Sequence, residues 1–270
     1  MEYKIEKAKP FLRWAGGKRW FLKELDKLVD INKYNTYHEP FIGGGSVFFH
    51  LKPRKAVISD SNPELINVYN QLKYNVEETV STLKNYEKSE EFYYKIRSQV
   101  FSSKIEEAAK FIFLNQLSFN GIYRVNSRGE YNVPYGRRNS FNFDFDNLFE
   151  VNKLLENTEI IKQDFEDTLQ KVKEDDFIFL DPPYTVTHNQ NGFIHYNQKL
   201  FSLEDQYRLS DYIKQIKVRG AFYILTNAAH QVVKEIFSNG DRMYEVDRAS
   251  IIGGKNAKRG KYSELILTNL

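Results

Sequence analysis

Apolar positions along this chain fall into two kinds of run. Short runs rich in β-branched and aromatic residues occur at 37–41, 56–59, 159–162, 177–180, 221–226, 243–246 and 265–268. Their length and make-up read as strands. Helical stretches lie between most of them, at 20–29, 63–74 and 203–216. Asn62 stands where it can cap the second of these, with Pro63 at the first helical position. Ser202, with Asp205 three residues on, is a near match to a capping box for the third. Strands alternating with helices predict an α/β fold built on a doubly wound, mainly parallel sheet.

Residues 76 to 154 break this alternation. Helical patterns at 76–83, 92–100 and 105–117 are followed at 119–147 by a loop rich in Asn, Gly, Arg and aromatic residues. No internal repeat intervenes. The block reads as a subdomain inserted between the second and third strands, dividing the chain into 1–75 with 155–270 and an inserted 76–154.

Composition narrows the function classes. A chain of 270 residues, 41% hydrophobic, fits one large domain with an insertion and an adequate core. No stretch approaches the ~18 apolar residues of a membrane span. The three lysines Lys4, Lys7 and Lys9 precede no apolar run, so the N-terminus does not read as a secretory signal. Absence of cysteine excludes disulfides, thiolate metal sites and a cysteine nucleophile. His38, His50, His188, His195 and His230 form no metal-ligand pattern, so no metal is expected. A net charge of +3 is not that of a histone-like binder, so the placement of charge matters more. Arg137 with Arg138 forms one basic cluster. Lys255, Lys258, Arg259 and Lys261, among Gly253, Gly254 and Gly260, form a second, suited to phosphate contact.

Three segments carry candidate chemistry. The apolar run at 177–180 ends in Asp181-Pro182-Pro183-Tyr184. Proline lacks the N–H a ladder needs, so the chain turns there. Either the turn merely stops a strand, or it gathers a carboxylate, a carbonyl and an aromatic face at the sheet edge where open α/β folds bind ligands. A carboxylate and a carbonyl can accept both hydrogens of an exocyclic amine. Second, Glu39-Pro40-Phe41-Ile42-Gly43-Gly44-Gly45 follows the first strand, and its glycines permit close approach to a ligand. It matches neither a dinucleotide fingerprint nor a P-loop. Asp60 ends the second strand, 17 residues after Gly43, where an acid accepts ribose hydroxyls or, alternatively, caps the next helix. Third, Trp14-Ala15-Gly16-Gly17-Lys18 combines an aromatic, a close-approach backbone and a cation, which suits the amino-acid end of a cofactor.

In chain order, with Trp14–Lys18 first, Glu39–Gly45 next, an inserted region and then Asp181–Tyr184, the segments resemble the adenine-N6 DNA methyltransferases of the Dam type, the D12 class. The likeness extends to Asn120-Gly121-Ile122-Tyr123-Arg124-Val125-Asn126, to Tyr131-Asn132-Val133-Pro134-Tyr135-Gly136, and to the ending Arg259-Gly260-Lys261 with Ser263-Glu264-Leu265. It spans nearly the whole chain and is strongest to members that methylate GATC. It implies a seven-stranded Rossmann-like sheet as catalytic domain, with 76–154 as a helical DNA-recognition subdomain. It implies S-adenosylmethionine as methyl donor, bound by Trp14, Lys18, Phe41, Gly43, Gly45, Asp60 and Asp181, with Asp164 and Phe165 near its adenine. Double-stranded DNA is the implied partner, with no obligate protein partner, no membrane and a cytoplasmic location with the DNA.

On this reading Asp181 and the Pro182 carbonyl accept the N6 hydrogens of a flipped adenine and Tyr184 stacks on it. Phe119 either fills the vacated stack or closes the preceding helix as a core aromatic. Arg124 suits guanine O6 and N7, while Ile122 and Pro134 offer apolar contact to thymine. Asn120 shares this loop. Asn126, Arg137 and Arg138 suit phosphate or base-edge contacts, and Arg13 is placed to couple cofactor and DNA. Two rival readings are a methyltransferase for RNA adenine or a protein amide, and a non-catalytic DNA-binding relative.

Overall fold

The computed structural model describes residues 7–138, 140–184, 201–249 and 261–270. His188, His195 and the basic run through Lys255, Lys258 and Arg259 lie outside the described residues. Seven strands follow one another as β1 (Tyr37–Glu39), β2 (Ala56–Asp60), β3 (Thr158–Lys162), β4 (Phe177–Leu180), β5 (Phe222–Ala228), β6 (Arg242–Ala249) and β7 (Lys261–Thr268). They hydrogen-bond in the order β3-β2-β1-β4-β5-β7-β6. The pairs β2/β3, β1/β4 and β4/β5 are parallel, whereas β7 runs antiparallel to both β5 and β6. The α/β fold expected from the alternation and the seven-stranded Rossmann-like sheet implied by the resemblance are therefore present, with an antiparallel edge. β1 ends at Glu39, two residues before the expected boundary, because Pro40 has no N–H to extend the ladder.

The helices are α1 (Leu22–Leu28), α2 (Phe48–Leu51), α3 (Pro63–Tyr74), α4 (Val76–Lys84), α5 (Glu90–Ser98), α6 (Lys104–Leu117), α7 (Phe145–Leu155), α8 (Leu203–Val218) and α9 (Gln231–Ile236). Sequence periodicity missed α2 and α9, of four and six residues, which are too short for a repeating apolar face. It also missed α7, whose first turn falls inside the aromatic-rich loop segment. Asp144 caps α7 by accepting the Asn147 amide at 3.0 Å.

The chain divides into two compact units, Met1–Asp30 with Ile42–Gln163 and Ile31–Phe41 with Asp164–Leu270. In the first, α6 is buried almost all round from Ala108 to Leu117, as a central helix must be when α3, α4 and α5 surround it. Asn62 accepts the Glu64 and Leu65 amides at 3.0 and 3.2 Å, so the cap and the Pro63 start expected for α3 are both present. In the second unit, Leu209, Ile213 and Ile216 form one stripe of α8. They face Ile178 and Leu180, Tyr223 and Leu225, and Leu265 and Leu267, alternate positions of β4, β5 and β7.

The capping box on α8 is complete. The Asp205 amide donates to Ser202 Oγ at 3.1 Å and the Ser202 amide donates to Asp205 Oδ2 at 2.7 Å. Ser202→Ala is expected to lower stability by about 1 kcal/mol, within the usual span for a lost cap. Urea unfolding should show a lower midpoint at unchanged slope; an unmoved midpoint would mean that the box does not hold α8.

Candidate active site and nucleic-acid interface

In the second unit the four side chains of β4 are buried, and the turn after it begins at the strand's last residue. Asp181 is half-buried, Pro182 buried and Pro183 exposed. The turn is held at both ends. Thr226, fully buried on β5, donates its hydroxyl to Asp181 Oδ1 at 2.9 Å. The Tyr184 phenol donates to Glu264 Oε2, a carboxylate 2% exposed on β7. Glu264 lies opposite Ala228 in the β5/β7 ladder, two residues beyond Thr226. Both clamps thus act from one face of the sheet. Beside this edge, Tyr37 donates to the buried Glu39 carboxylate at 2.6 Å. Burial, then the charges of Glu39 and Asp181, push the Tyr37 phenol well above its ordinary range, so it remains a donor.

Phe41 packs on Phe165 and Phe201 with ring centres 5.3 and 5.7 Å apart. Phe165 is itself buried, with the Arg208 guanidinium 4.9 Å above its ring. Arg208 gathers Asp164, Glu166 and Asp205 at 2.7–2.8 Å. Their hydrogen bonds, Glu166 foremost, stabilise the protonated guanidinium. Asp164 also accepts the Glu166 amide at 3.1 Å.

In the first unit, the glycine turn is interlocked with Trp14. A Cβ on Gly43 would stand 2.7 Å from the Trp14 indole nitrogen, and one on Gly44 would stand 2.7 Å from the Trp14 Cβ. Gly43 is also at φ +45°, in the left-handed region. A Cβ on Gly45 would strike Phe49 and the Tyr69 hydroxyl at 2.9 Å. Asp60 accepts the Gly43 amide at 3.1 Å and the Asn62 amide at 3.0 Å. Burial raises its pKa, and the backbone hydrogen bonds from Asn62 and Gly43 oppose that rise. Asn62, not Asp60, caps α3. Lys18 is buried, with Nζ 2.8 Å from the Gly16 carbonyl. The indole of Trp14 stacks on Tyr123 at 5.5 Å and on Phe111 at 6.4 Å.

The segment after α6 sorts the remaining candidates. Phe119 is 52% exposed, so the alternative of a core aromatic closing α6 fails. Asn120, at φ +55°, is exposed beside it. Residues 122–132 form a tight antiparallel excursion with Val125 opposite Tyr131. Asn126 makes its turn: its Oδ1 accepts the Arg128 and Glu130 amides at 2.9 and 3.0 Å, and its Nδ2 donates to Glu130 at 2.8 Å. Arg124 is exposed, with Nε 2.7 Å from Asn132 Oδ1. Ile122 is half-buried and its carbonyl accepts the Tyr131 phenol at 2.9 Å. Burial pushes that phenol up to about 12. Pro134 is exposed and accepts the Phe119 amide at 2.9 Å. Arg137 is exposed, whereas Arg138 donates to the Gln116 carbonyl at 2.7 Å and covers Phe141. Arg13 donates to the Ser118 carbonyl at 3.0 Å. Burial and the charge of Arg138 lower its pKa.

The family profile of the D12 class N6 adenine-specific DNA methyltransferases matches residues 14–251, from Trp14 to beyond β6. The chain belongs to that family. It is 38% identical to the type II methyltransferase M1.LlaDCHI of Lactococcus lactis subsp. cremoris, over 97% of this chain and 95% of the relative. It is 36% identical to the type II methyltransferase M.MjaIII of Methanocaldococcus jannaschii, over 96% and 99%. It is 32% identical to a DNA adenine methylase of Haemophilus influenzae, over 96% and 93%. The enzyme is thus an S-adenosylmethionine-dependent, adenine-specific DNA methyltransferase, and no described helix is long and apolar enough to cross a membrane.

Sequence reasoning gave Thr226 no role, and Glu264 and Asn132 stood only within segments that carry the resemblance, with no role of their own. All three act on partners far along the chain or across a turn, which no local pattern encodes. Gly121 is another such contact. At φ +63°, a Cβ there would lie 2.3 Å from the Arg13 Cβ. Gly121→Ala in this methyltransferase is expected to cost about 1–3 kcal/mol, the scale of backbone strain at one residue. Displacing Arg13 should lower DNA methylation while leaving cofactor affinity within about twofold, a small change on the energy scale of binding. Calorimetry with S-adenosylmethionine and a methylation assay on the same preparation check this; unchanged methylation would show that Arg13 does not shape the loop.

Proposed function

We propose that this enzyme methylates N6 of an adenine flipped out of double-stranded DNA, at GATC. The observation that carries the reading is the two-ended clamp on Asp181-Pro182-Pro183-Tyr184. A turn meant only to end a strand needs no buried hydroxyl on its acid and no buried carboxylate on its aromatic. Held this way, the Asp181 carboxylate and the Pro182 carbonyl accept the two N6 hydrogens. The nitrogen then pyramidalises and frees a lone pair otherwise delocalised into the ring. Charge developing on N6 is offset by the ionised carboxylate. Bound S-adenosylmethionine supplies a methyl carbon already activated by its sulfonium, so direct displacement needs no covalent enzyme intermediate.

The side chains present fit that donor. Asp60 is a half-buried acceptor at the end of β2 whose two oxygens each take one backbone amide, leaving lone pairs for ribose hydroxyls. Phe41 and Phe165 supply an apolar aromatic wall next to Asp164, suited to an adenine ring. Trp14, Lys18, Gly43 and Gly45 complete the set assigned to the donor. Residues 76–154 are assigned to target recognition, and 1–75 with 155–270 to catalysis.

Flipping costs a few kcal/mol. Stacking on Tyr184 offsets about 1–3 kcal/mol of it. Phe119, exposed beside Asn120 on a left-handed turn, is assigned to the vacated stack. Arg124 is assigned to a guanine, Ile122 and Pro134 to thymine methyls, and Arg137 to phosphate. Arg13, Asn126 and Arg138 act on DNA through the loops they brace.

Asp181→Ala is expected to reduce methyl transfer by about a hundredfold or more, by analogy with a lost transition-state hydrogen bond, with the fold intact by circular dichroism. Transfer of labelled methyl within about threefold of wild type would end the proposed role.

Arg124→Ala should relax discrimination at one base pair of GATC by roughly ten- to a hundredfold, the worth of a bidentate arginine–guanine pair at ~1–3 kcal/mol. Arg137→Ala should weaken all sequences alike and flatten the salt dependence. Methylation of duplexes differing from GATC at single positions separates the two. Equal losses on every duplex for the Arg124 variant would reassign Arg124 to the backbone.

A further inference from the structure

The contact that the assigned reaction does not itself require is the one between Tyr184 and Glu264. Glu264 sits in β7 between Ala228 of β5 and Val246 of β6, 2% exposed. Burying a carboxylate is costly unless a strong hydrogen bond compensates it. Here the phenol of Tyr184 supplies one, across 80 residues of chain. A phenol donating to a carboxylate is a charge-assisted hydrogen bond of the stronger kind. Anchoring the hydroxyl oxygen fixes the first side-chain torsion. That oxygen lies on the axis of the ring's own rotation, but conjugation keeps the O–H in the ring plane, so an acceptor set off that axis also favours one ring plane. Thr226 holds Asp181 from the neighbouring position of the same sheet face, so Asp181 and Tyr184 share one rigid frame.

We propose that Glu264 is a positioning residue that fixes the plane of the Tyr184 ring before the flipped base arrives. This rests on the reading of Tyr184 as the stacking residue. A ring free to rotate about its side-chain bonds loses that freedom when a base stacks on it, and affinity falls accordingly. A ring already locked by Glu264 loses little. On this proposal Glu264 acts on the base through the phenol and not by contact with base or donor. The effect of removing Glu264 therefore depends on whether the Tyr184 hydroxyl is present, which a general loss of β7 stability would not.

The test is a double-mutant cycle in the full-length enzyme, with 2-aminopurine in place of the target adenine to report flipping and single-turnover transfer of labelled methyl on the natural duplex. Tyr184→Phe and Glu264→Ala are each expected to slow transfer about tenfold and to lower the 2-aminopurine signal. S-adenosylmethionine affinity by calorimetry should stay unchanged. Glu264→Gln, which keeps an acceptor, should remain within about threefold of wild type. The variant carrying both Tyr184→Phe and Glu264→Ala should be no slower than either alone. Losses that multiply in that variant, or a Tyr184→Phe enzyme with wild-type rate, would overturn the proposal. If Glu264→Ala does not fold, Tyr184→Phe against Glu264→Gln still decides, because a slow glutamine variant with a normal phenylalanine variant also overturns it. Tyr184→Ala separates this idea from the reading beneath it. If that variant is inactive while Tyr184→Phe and Glu264→Ala are normal, only the positioning role falls. If Tyr184→Ala is as active as wild type, the stacking role falls and takes the positioning role with it.

Discussion

Everything at the sheet edge assigned to catalysis depends on how β4 ends. Its four side chains are buried on both faces, each with at most 1% exposure. Burial of such side chains contributes about 1.5–3 kcal/mol apiece. The ladder hydrogen bond that Pro182 forgoes is worth about 0.5–1.5 kcal/mol. Burial wins easily, so the strand is anchored and the proline merely decides where it stops. A flexible loop at this point would leave the Asp181 carboxylate in many positions. A turn with φ fixed at two consecutive prolines, fed by an immovable strand, leaves few. Thr226 and Glu264 then act on a backbone that is already nearly settled.

The first unit reaches rigidity by a different route. Its glycine turn carries no proline and little side-chain mass. Order comes from contact: the Trp14 indole fills the space where Gly43 and Gly44 would carry Cβ atoms, and Asp60 pulls the Gly43 amide toward β2. The Tyr69 hydroxyl donates to the Gly43 carbonyl at 3.0 Å from α3. Tyr123 continues the stack from Trp14 and donates to Glu64 at 2.6 Å. Through these contacts the segment assigned to the donor and the segment assigned to target recognition lean on the same aromatic rings. A change at Trp14 therefore cannot be confined to one of them.

Local pattern made most of the sheet legible. The runs at 56–59, 177–180 and 265–268 fall inside β2, β4 and β7, and α3 was bounded to the residue because Asn62 and Pro63 announce its start. The short helices α2 and α9 were not legible, since they are held by their surroundings and lack a period of their own. Motif order likewise identified the Asp181 turn and the glycine turn, which are contiguous in sequence. What it could not supply was partnership over distance. Arg13 and Ser118 are 105 residues apart, Thr226 and Asp181 are 45 apart, and neither pair has a spacing that a sequence pattern can encode.

The arginines show why this matters for reading function from composition. A hydrogen bond involving a charged group contributes about 1.5–3 kcal/mol, the same scale as one arginine–guanine pair at ~1–3 kcal/mol. Arg13 and Arg138 each already hold a backbone carbonyl at the end of α6. Moving either one onto a base would exchange one bond of that scale for another, with a loop left unsupported, so no net gain remains to discriminate sequences. Arg124 is different. Asn132 takes its Nε at 2.7 Å, which fixes the plane of the guanidinium, while the second contact, from one terminal nitrogen to the Asn132 carbonyl, is long at 3.3 Å. The end-on edge, with one hydrogen from each terminal nitrogen, points the fork in a fixed direction and has no bond of comparable strength to give up. A charge that is braced yet unspent can select a partner, and a charge whose donors are committed can only shape the ground on which selection happens.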